Sequence, residues 1–340
     1  MPLPTPDQYR AMLDAAAADR FAYPAVNVMS TQTLNAAIRG FAEAGADGIV
    51  QVTTGGASYL AGSAADPVLG ARAFAAAAHE LVTAAPVFVA LHTDHVPAPK
   101  AEGFLRPLLA ESATRVRAGG LPLFHSHMFD GSTLSLEDNL RASARWLHAA
   151  QAAHVVLEVE VGVVGGAEDD VDGRGADPEQ LYTTTGDLLR TAEELGAGER
   201  GRYLLAATFG NAHGAHAPGH VRLRPEILRD GQEALGRVRP GARFDYVFHG
   251  SSGSTVAELH TAIGYGVVKV NLDTDAQYAF TRAVAGHVLD HWDGVLRLDG
   301  DLGDKHAYDP RAWGRKAEAA MAVRVAEAAE QLGAAGRSIA

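Results

Sequence analysis

Three histidines carry the chemistry that this sequence supports. His95 closes the string Leu91-His92-Thr93-Asp94-His95. His213 lies in Phe209-Gly210-Asn211-Ala212-His213-Gly214, and His249 opens His249-Gly250-Ser251-Ser252-Gly253-Ser254. Each follows a short apolar run and stands beside Asp or Gly. Three neutral imidazoles with one coordination position left open are the donor set of a catalytic zinc. A hydrogen-bonded core histidine is the plainer reading of any one of them, since the chain has 15. Three in the same context favour a shared ion. With no cysteine in the chain, thiolate sites and disulfides are excluded, and any metal must be held by His, Asp or Glu.

Carboxylates accompany the histidines. Asp94 precedes His95, Asp130 follows His127, and Glu160 ends the apolar run 155–161. Alternation along a strand sends His92 and Asp94 to one side and His95 to the other, unless the strand breaks there. Glu168 lies in a Gly- and Asp-rich stretch, about 162–180, with no periodicity. A loop of that kind is a mobile lid that delivers a general base, or else a solvated tract. The Gly- and Ser-bearing segment 249–254 precedes a helix and exposes backbone N–H groups, which suits an anion such as phosphate. Thr274 opens another helix in the same way.

The elements that must position these residues follow from the apolar pattern. Short apolar runs at 25–28, 48–53, 86–91, 122–127, 155–161, 203–209, 244–249 and 266–272 read as strands. Helical patterns separate them: 31–44, 68–84, 104–118, 136–152, 184–195, 225–236 and 255–263. Strands that alternate with helices make a parallel sheet. Eight of them favour a closed α/β barrel, a (β/α)8 TIM barrel, with extra helices at the N- and C-termini. The sequence shows no linker or repeat, so residues 1–340 read as a single domain. In such a barrel the candidate residues all lie at carboxyl ends of strands, on the one face where barrel enzymes do their work.

Composition narrows the partners. The net charge is -12, with 29 basic and 41 acidic residues and no basic cluster, which argues against nucleic acid. No apolar stretch reaches the ~20 residues of a membrane span, and the start shows no signal peptide. A cytoplasmic protein with a small-molecule substrate is the expectation.

Seven strings, in this order, bear a resemblance: LHTDH at Leu91, SHMFDGS at Ser126, LEVEVGVVGGAED at Leu157, AATFGNAHG at Ala206, FHGSSGS at Phe248, VVKVNLDTDAQYAFTR at Val267 and YDPR at Tyr308. From Asn27 to Arg311 the chain resembles the class II, metal-dependent fructose-bisphosphate aldolases of the longer bacterial type. The resemblance implies that His95, His213 and His249 hold a divalent ion, Zn2+ in the first place, and that Glu160 joins it when the ion sits deeper. It allows a monovalent cation as well. Asp94 matches the carboxylate that handles the C4 hydroxyl proton, and Glu168 the loop carboxylate that moves the proton at the donor carbon. Asn271 and Asp273 match residues that hold the donor's hydroxyls and carbonyl. Gly214, Gly250, Ser252 and Thr274 match its phosphate pocket, and Asn27, Thr53 and Asp130 are expected at the substrate. Arg311 matches an arginine that reaches the distal phosphate from a partner subunit, so a homodimer is implied.

The chain departs from the family pattern on the phosphate side. Where the family has Tyr-Lys-Pro after the second metal histidine, this chain has Gly214-Ala215-His216-Ala217-Pro218, with Ala217 in the place of the phosphate-contacting lysine. Thr53 stands for a serine, Ala167-Glu168 for a Glu pair, and Gly250-Ser251 for Gly-Gly. These changes leave room for a paralogue that runs the same aldol chemistry on another ketose. A non-catalytic sugar-phosphate binder on the same fold is the third reading.

Overall fold

The computed structural model describes residues 2–165, 167–168, 171–172, 181–211, 223–297 and 302–340. Eight parallel strands close into a barrel: β1 (Tyr23–Asn27), β2 (Gly48–Thr53), β3 (Val89–Pro97), β4 (Ser126–Asp130), β5 (Val156–Val161), β8 (Tyr203–Ala207), β9 (Tyr246–Phe248) and β10 (Val267–Leu272). A two-stranded antiparallel ladder, β6 (Ala167–Glu168) with β7 (Val171–Asp172), stands apart from it. The chain is thus the expected (β/α)8 barrel. Helices α1 (Pro6–Asp19), α2 (Thr31–Ala44), α3 (Thr54–Leu60), α4 (Pro67–Leu81), α5 (Ala98–Arg117), α6 (Leu136–Ala152), α7 (Thr185–Leu195), α8 (Glu226–Val238) and α9 (Val256–Gly264) alternate with the strands. Four more, α10 (Thr274–Asp290), α11 (Trp292–Val295), α12 (Lys305–Tyr308) and α13 (Pro310–Gln331), complete the C-terminal region.

Local chemistry sets many of these boundaries. Thr5 caps α1 through a reciprocal pair with Gln8, and Pro6 sits where a missing N–H costs nothing. Gly45 ends α2 in the left-handed region at φ 59°. Several boundaries differ from the sequence reading, and the third strand most, since it runs on past 91 to Pro97. The fourth strand starts at Ser126, not at 122, because its register with β3 begins at His92↔Ser126, while upstream Leu123 spends its N–H on the Ser112 hydroxyl. After β2 the chain goes straight into α3, a helix that the sequence reading did not place: the Thr53 hydroxyl accepts from the Gly56 N–H at 2.9 Å and caps it.

Strand alternation divides the buried side chains into two layers. The outer layer, with Val50, Leu91, Leu157, Leu205 and Phe248, packs beneath the surrounding helices. The inner layer fills the barrel's amino-terminal half with Ala25, Ile49, Ala90, Val156, Leu204 and Val247. Helix α1 closes that end, burying Tyr9, Met12, Leu13 and Ala16 against it. Further along each strand the inward positions turn polar, so the site is built on a packed apolar floor.

Helices α3 and α4 touch backbone to backbone at Gly70, where a Cβ would collide with the Ala57 carbonyl. Neither side can yield by rotating a side chain. Gly70→Ala is therefore expected to cost about 1–3 kcal/mol, read as a lowered urea midpoint with an unchanged slope. A midpoint equal to that of the native protein would show that the helices separate freely.

Candidate active site

The third strand does not run straight. Thr93 pairs with His127 and Val96 with Phe129, so Asp94 and His95 together stand against Met128 alone. His95 takes φ 39°. This bulge at the carboxyl end of β3 is the break that the sequence left open. It turns both Asp94 and His95 inward, and positive φ on a non-glycine residue is the kind of strain found at functional sites.

Around the bulge the inward side chains converge. Nε2 of His95 and Nδ1 of His249 face each other at 2.8 Å. Their outer nitrogens are each held by a carboxylate: His95 Nδ1 lies 3.1 Å from Asp130 Oδ2, and His249 Nε2 lies 2.7 Å from Glu158 Oε1. Each carboxylate accepts the N–H of its imidazole, so two neutral rings would turn lone pair on lone pair. Only a shared proton or a metal cation relieves that. The ligand atoms of Asp94, His95 and His249 lie within 4.8 Å of one another, as do those of His95, Asp130 and Glu160. Both Glu160 oxygens are buried, with no hydrogen-bond partner among the described residues. Among the described residues, Asp94, Asp130, Glu158 and Glu160 put four buried carboxyls beside one buried cation, Lys269. The donor set fits a divalent ion.

Electrostatics separate the carboxyls. Burial pushes Asp94 up, but His95, His92 and Lys269 more than offset it and hold the carboxyl well below its ordinary range. Burial also raises Glu160, and here the Asp130 carboxylate adds to the effect, so its carboxyl sits well above its ordinary range. Burial pulls His95 down, yet Asp94, Asp130 and Glu160 outweigh it and raise the imidazole. Two neighbouring carboxyls with opposed shifts are an acid–base arrangement. Asp94 is held by Gln51 Nε2 at 2.9 Å to Oδ2 and by Asn271 Nδ2 at 3.2 Å to both oxygens. Gln51 also donates to Asn27.

This geometry agrees with what the chain is similar to. The family model for class-II fructose-bisphosphate aldolase matches residues 7–337. The chain belongs to that family. A fructose-bisphosphate aldolase of Streptomyces galbus is 56% identical over 341 residues, 100% of both chains. One from Mycobacterium tuberculosis strain H37Rv is 52% identical, covering 100% of this chain and 99% of the other. The crystal structure of fructose-bisphosphate aldolase from Campylobacter jejuni superimposes with a TM-score of 0.86 at 34% identity, covering 99% of this chain and 97% of that one.

The structure of this aldolase-family chain brings Asn27, Asp94, His95, Asp130, Glu160, His249 and Asn271 together, all buried. Asp130 lies behind His95. Thr53 is engaged in capping α3. Gly250 takes φ 60° in the loop after β9, and Ser251 ties that loop to β10 by donating to the Asn271 carbonyl at 2.9 Å. Asp273 and Thr274 open α10. Arg311 does not join the cluster: exposed at the start of α13, it clasps Asp309 at 2.6 Å. Where a loop is expected over 162–180, Glu168 lies in β6. The expected metal ligand His213 and the phosphate-side positions Gly214 and Ala217 lie outside the described residues, as does most of the expected lid. Asn211 is described: its Nδ2 donates to the His249 carbonyl at 2.9 Å, and its own carbonyl accepts from Gly165 N at 3.1 Å.

Sequence reasoning passed over Gln51, Glu158 and Lys269. Each lies two residues from a residue that it singled out, Thr53, Glu160 and Asn271, and therefore on the same strand face. That spacing was the available signal.

Proposed function

We propose that this chain is a class II aldolase that cleaves fructose 1,6-bisphosphate to dihydroxyacetone phosphate and glyceraldehyde 3-phosphate, and runs the reverse condensation. The convergence of Asp94, His95 and His249 behind a bulged strand carries this reading. His95, His213 and His249 would hold the ion, Zn2+ by preference, with Glu160 available deeper in the barrel. Bound there, a divalent ion supplies a Lewis acid for the substrate's carbonyl oxygen. Asp94, ionised and fixed by Gln51 and Asn271, takes the proton of the C4 hydroxyl as the carbon–carbon bond breaks. Glu168 returns a proton to the donor carbon. Asn271 and Asp273 orient the donor, with Asn27 and Thr53 around it, while Asp130, expected at the substrate, instead holds His95 from behind. The loop with Gly250 and Ser252, the start of α10 at Thr274, and Gly214 receive its phosphate.

Arg311 would reach the distal phosphate from a partner subunit of a homodimer, which its exposure permits. Among the described residues no helix is long and apolar enough to cross a membrane, which fits a cytoplasmic enzyme. A monovalent cation would support the phosphate loops.

The test is steady-state cleavage of fructose 1,6-bisphosphate by the zinc-loaded protein beside an Ala217→Lys variant. The native chain should turn over. The added cation should lower KM by about ten- to a hundredfold, as expected for one charge-assisted contact of roughly 1.5–3 kcal/mol. No turnover by either protein, with zinc bound, would overturn the substrate assignment.

A further inference from the structure

The barrel interior holds an ion pair that takes no proton and touches no substrate in the steps above, although Lys269 helps to keep Asp94 ionised. Glu158 and Lys269 are both wholly buried. Lys269 Nζ donates to Glu158 Oε2 at 2.8 Å, and His249 Nε2 donates to Glu158 Oε1 at 2.7 Å. A buried ion pair is a weak source of stability, because desolvation offsets most of its attraction and apolar side chains of the same size often do as well. Its place behind a histidine at the ion's position points to a different use.

We propose that the Glu158–Lys269 pair positions the metal centre, fixing His249 in the tautomer and orientation that turn its Nδ1 toward the ion; the proposal rests on the metal-dependent reading above. Which imidazole nitrogen carries the hydrogen is decided by the partner of the other. Glu158 Oε1 accepts from Nε2, so the lone pair is left on Nδ1, the nitrogen that faces His95. Lys269 holds the second oxygen. A carboxylate is planar, so pinning Oε2 also fixes the direction of Oε1. His92 lies beside the same oxygen, with Nε2 3.6 Å from Oε2, and its own ring is held by Ser126 Oγ at 2.8 Å. The second histidine has its own device: Asp130 backs His95, and Ser132 in turn holds Asp130 through its N–H and hydroxyl. Partners behind metal ligands typically change metal affinity about 10–100-fold when removed.

The test is the zinc dissociation constant of the full chain, measured by competition with a chromophoric chelator, together with the visible spectrum of the cobalt-loaded protein. Glu158→Gln and Lys269→Met should each weaken zinc by about 10–100-fold and shift the cobalt bands. Each single variant leaves one buried charge unpaired and is open to misfolding. The double variant Glu158→Gln/Lys269→Met leaves none, so it folds and should still bind at least about tenfold more weakly. A double variant with a lowered melting temperature but native zinc affinity and native cobalt bands would make the pair plain core and overturn the proposal. A native protein that takes up no zinc overturns the metal-dependent reading and the pair's role together, whereas equal binding by native and double variant removes the pair's role only.

Discussion

Asp94→Asn should lower kcat about 10²–10⁴-fold, the range for loss of one positioned proton-transfer group, with far less change in KM and none in zinc content. Asn has the shape of Asp, and its one amide oxygen, placed as Oδ2, can still accept from Gln51 Nε2 and Asn271 Nδ2, which lie 2.9 and 3.2 Å from that atom. What it loses is the ability to take a proton. The native carboxyl is suited to that task because His95, His92 and Lys269 keep it ionised despite complete burial. The sign on pH follows from that direction. A carboxyl held below its ordinary range is already a base at neutral pH, so activity that depends on it is lost only as the medium is made strongly acidic. Steady-state kinetics on fructose 1,6-bisphosphate, with zinc measured in the same samples, checks this. A kcat within a few-fold of native would remove Asp94 from the proton's path.

The barrel was legible because eight buried parallel strands leave eight apolar runs, and each is followed by a helical period. Residue alternation also contained the site's inner wall. Gln51, Glu158 and Lys269 share faces with residues already chosen for their chemistry. They went unread because a polar residue inside an apolar run looks like an exception until the run is known to face a barrel interior. The bulge at His95 lay beyond sequence reasoning, because it follows from the register of β3 against β4, a contact between residues more than thirty apart. The same holds for α3, absent from the helical patterns of the sequence: only the hydrogen bond from Gly56 N–H to the Thr53 hydroxyl shows that a helix starts there. His213 was singled out by its place after the apolar run 203–209 and beside Gly214, and the motif strings then gave it the role of a metal ligand.

Removing the metal should have the largest effect. Chelator-stripped protein is expected to lose lyase activity altogether and to regain it when Zn2+ is returned, and His95→Ala and His249→Ala should stay inactive on zinc addition. The ion does more than chemistry here. Among the described residues, four buried carboxyls face a single buried lysine, and two imidazoles meet nitrogen to nitrogen at 2.8 Å, so the folded chain is under electrostatic stress that a cation relieves. Binding to the folded state alone stabilises it by about 2.7 kcal/mol at a free zinc concentration a hundred times the dissociation constant, which for a chain of this size raises the melting temperature by roughly 4 °C. The pH dependence is set by His95. Its imidazole is raised above the ordinary value by Asp94, Asp130 and Glu160 against the pull of burial. The stabilisation it gains from its own proton is therefore complete at low pH and is lost as pH rises through that raised value. Zinc replaces the proton, so the zinc-induced shift in melting temperature should grow with pH over the same range. Calorimetric scans with and without zinc at several pH values read this directly. A shift that stayed flat with pH would mean that the ion does not displace the His95 proton, and full activity in the stripped protein would end the metal-dependent account.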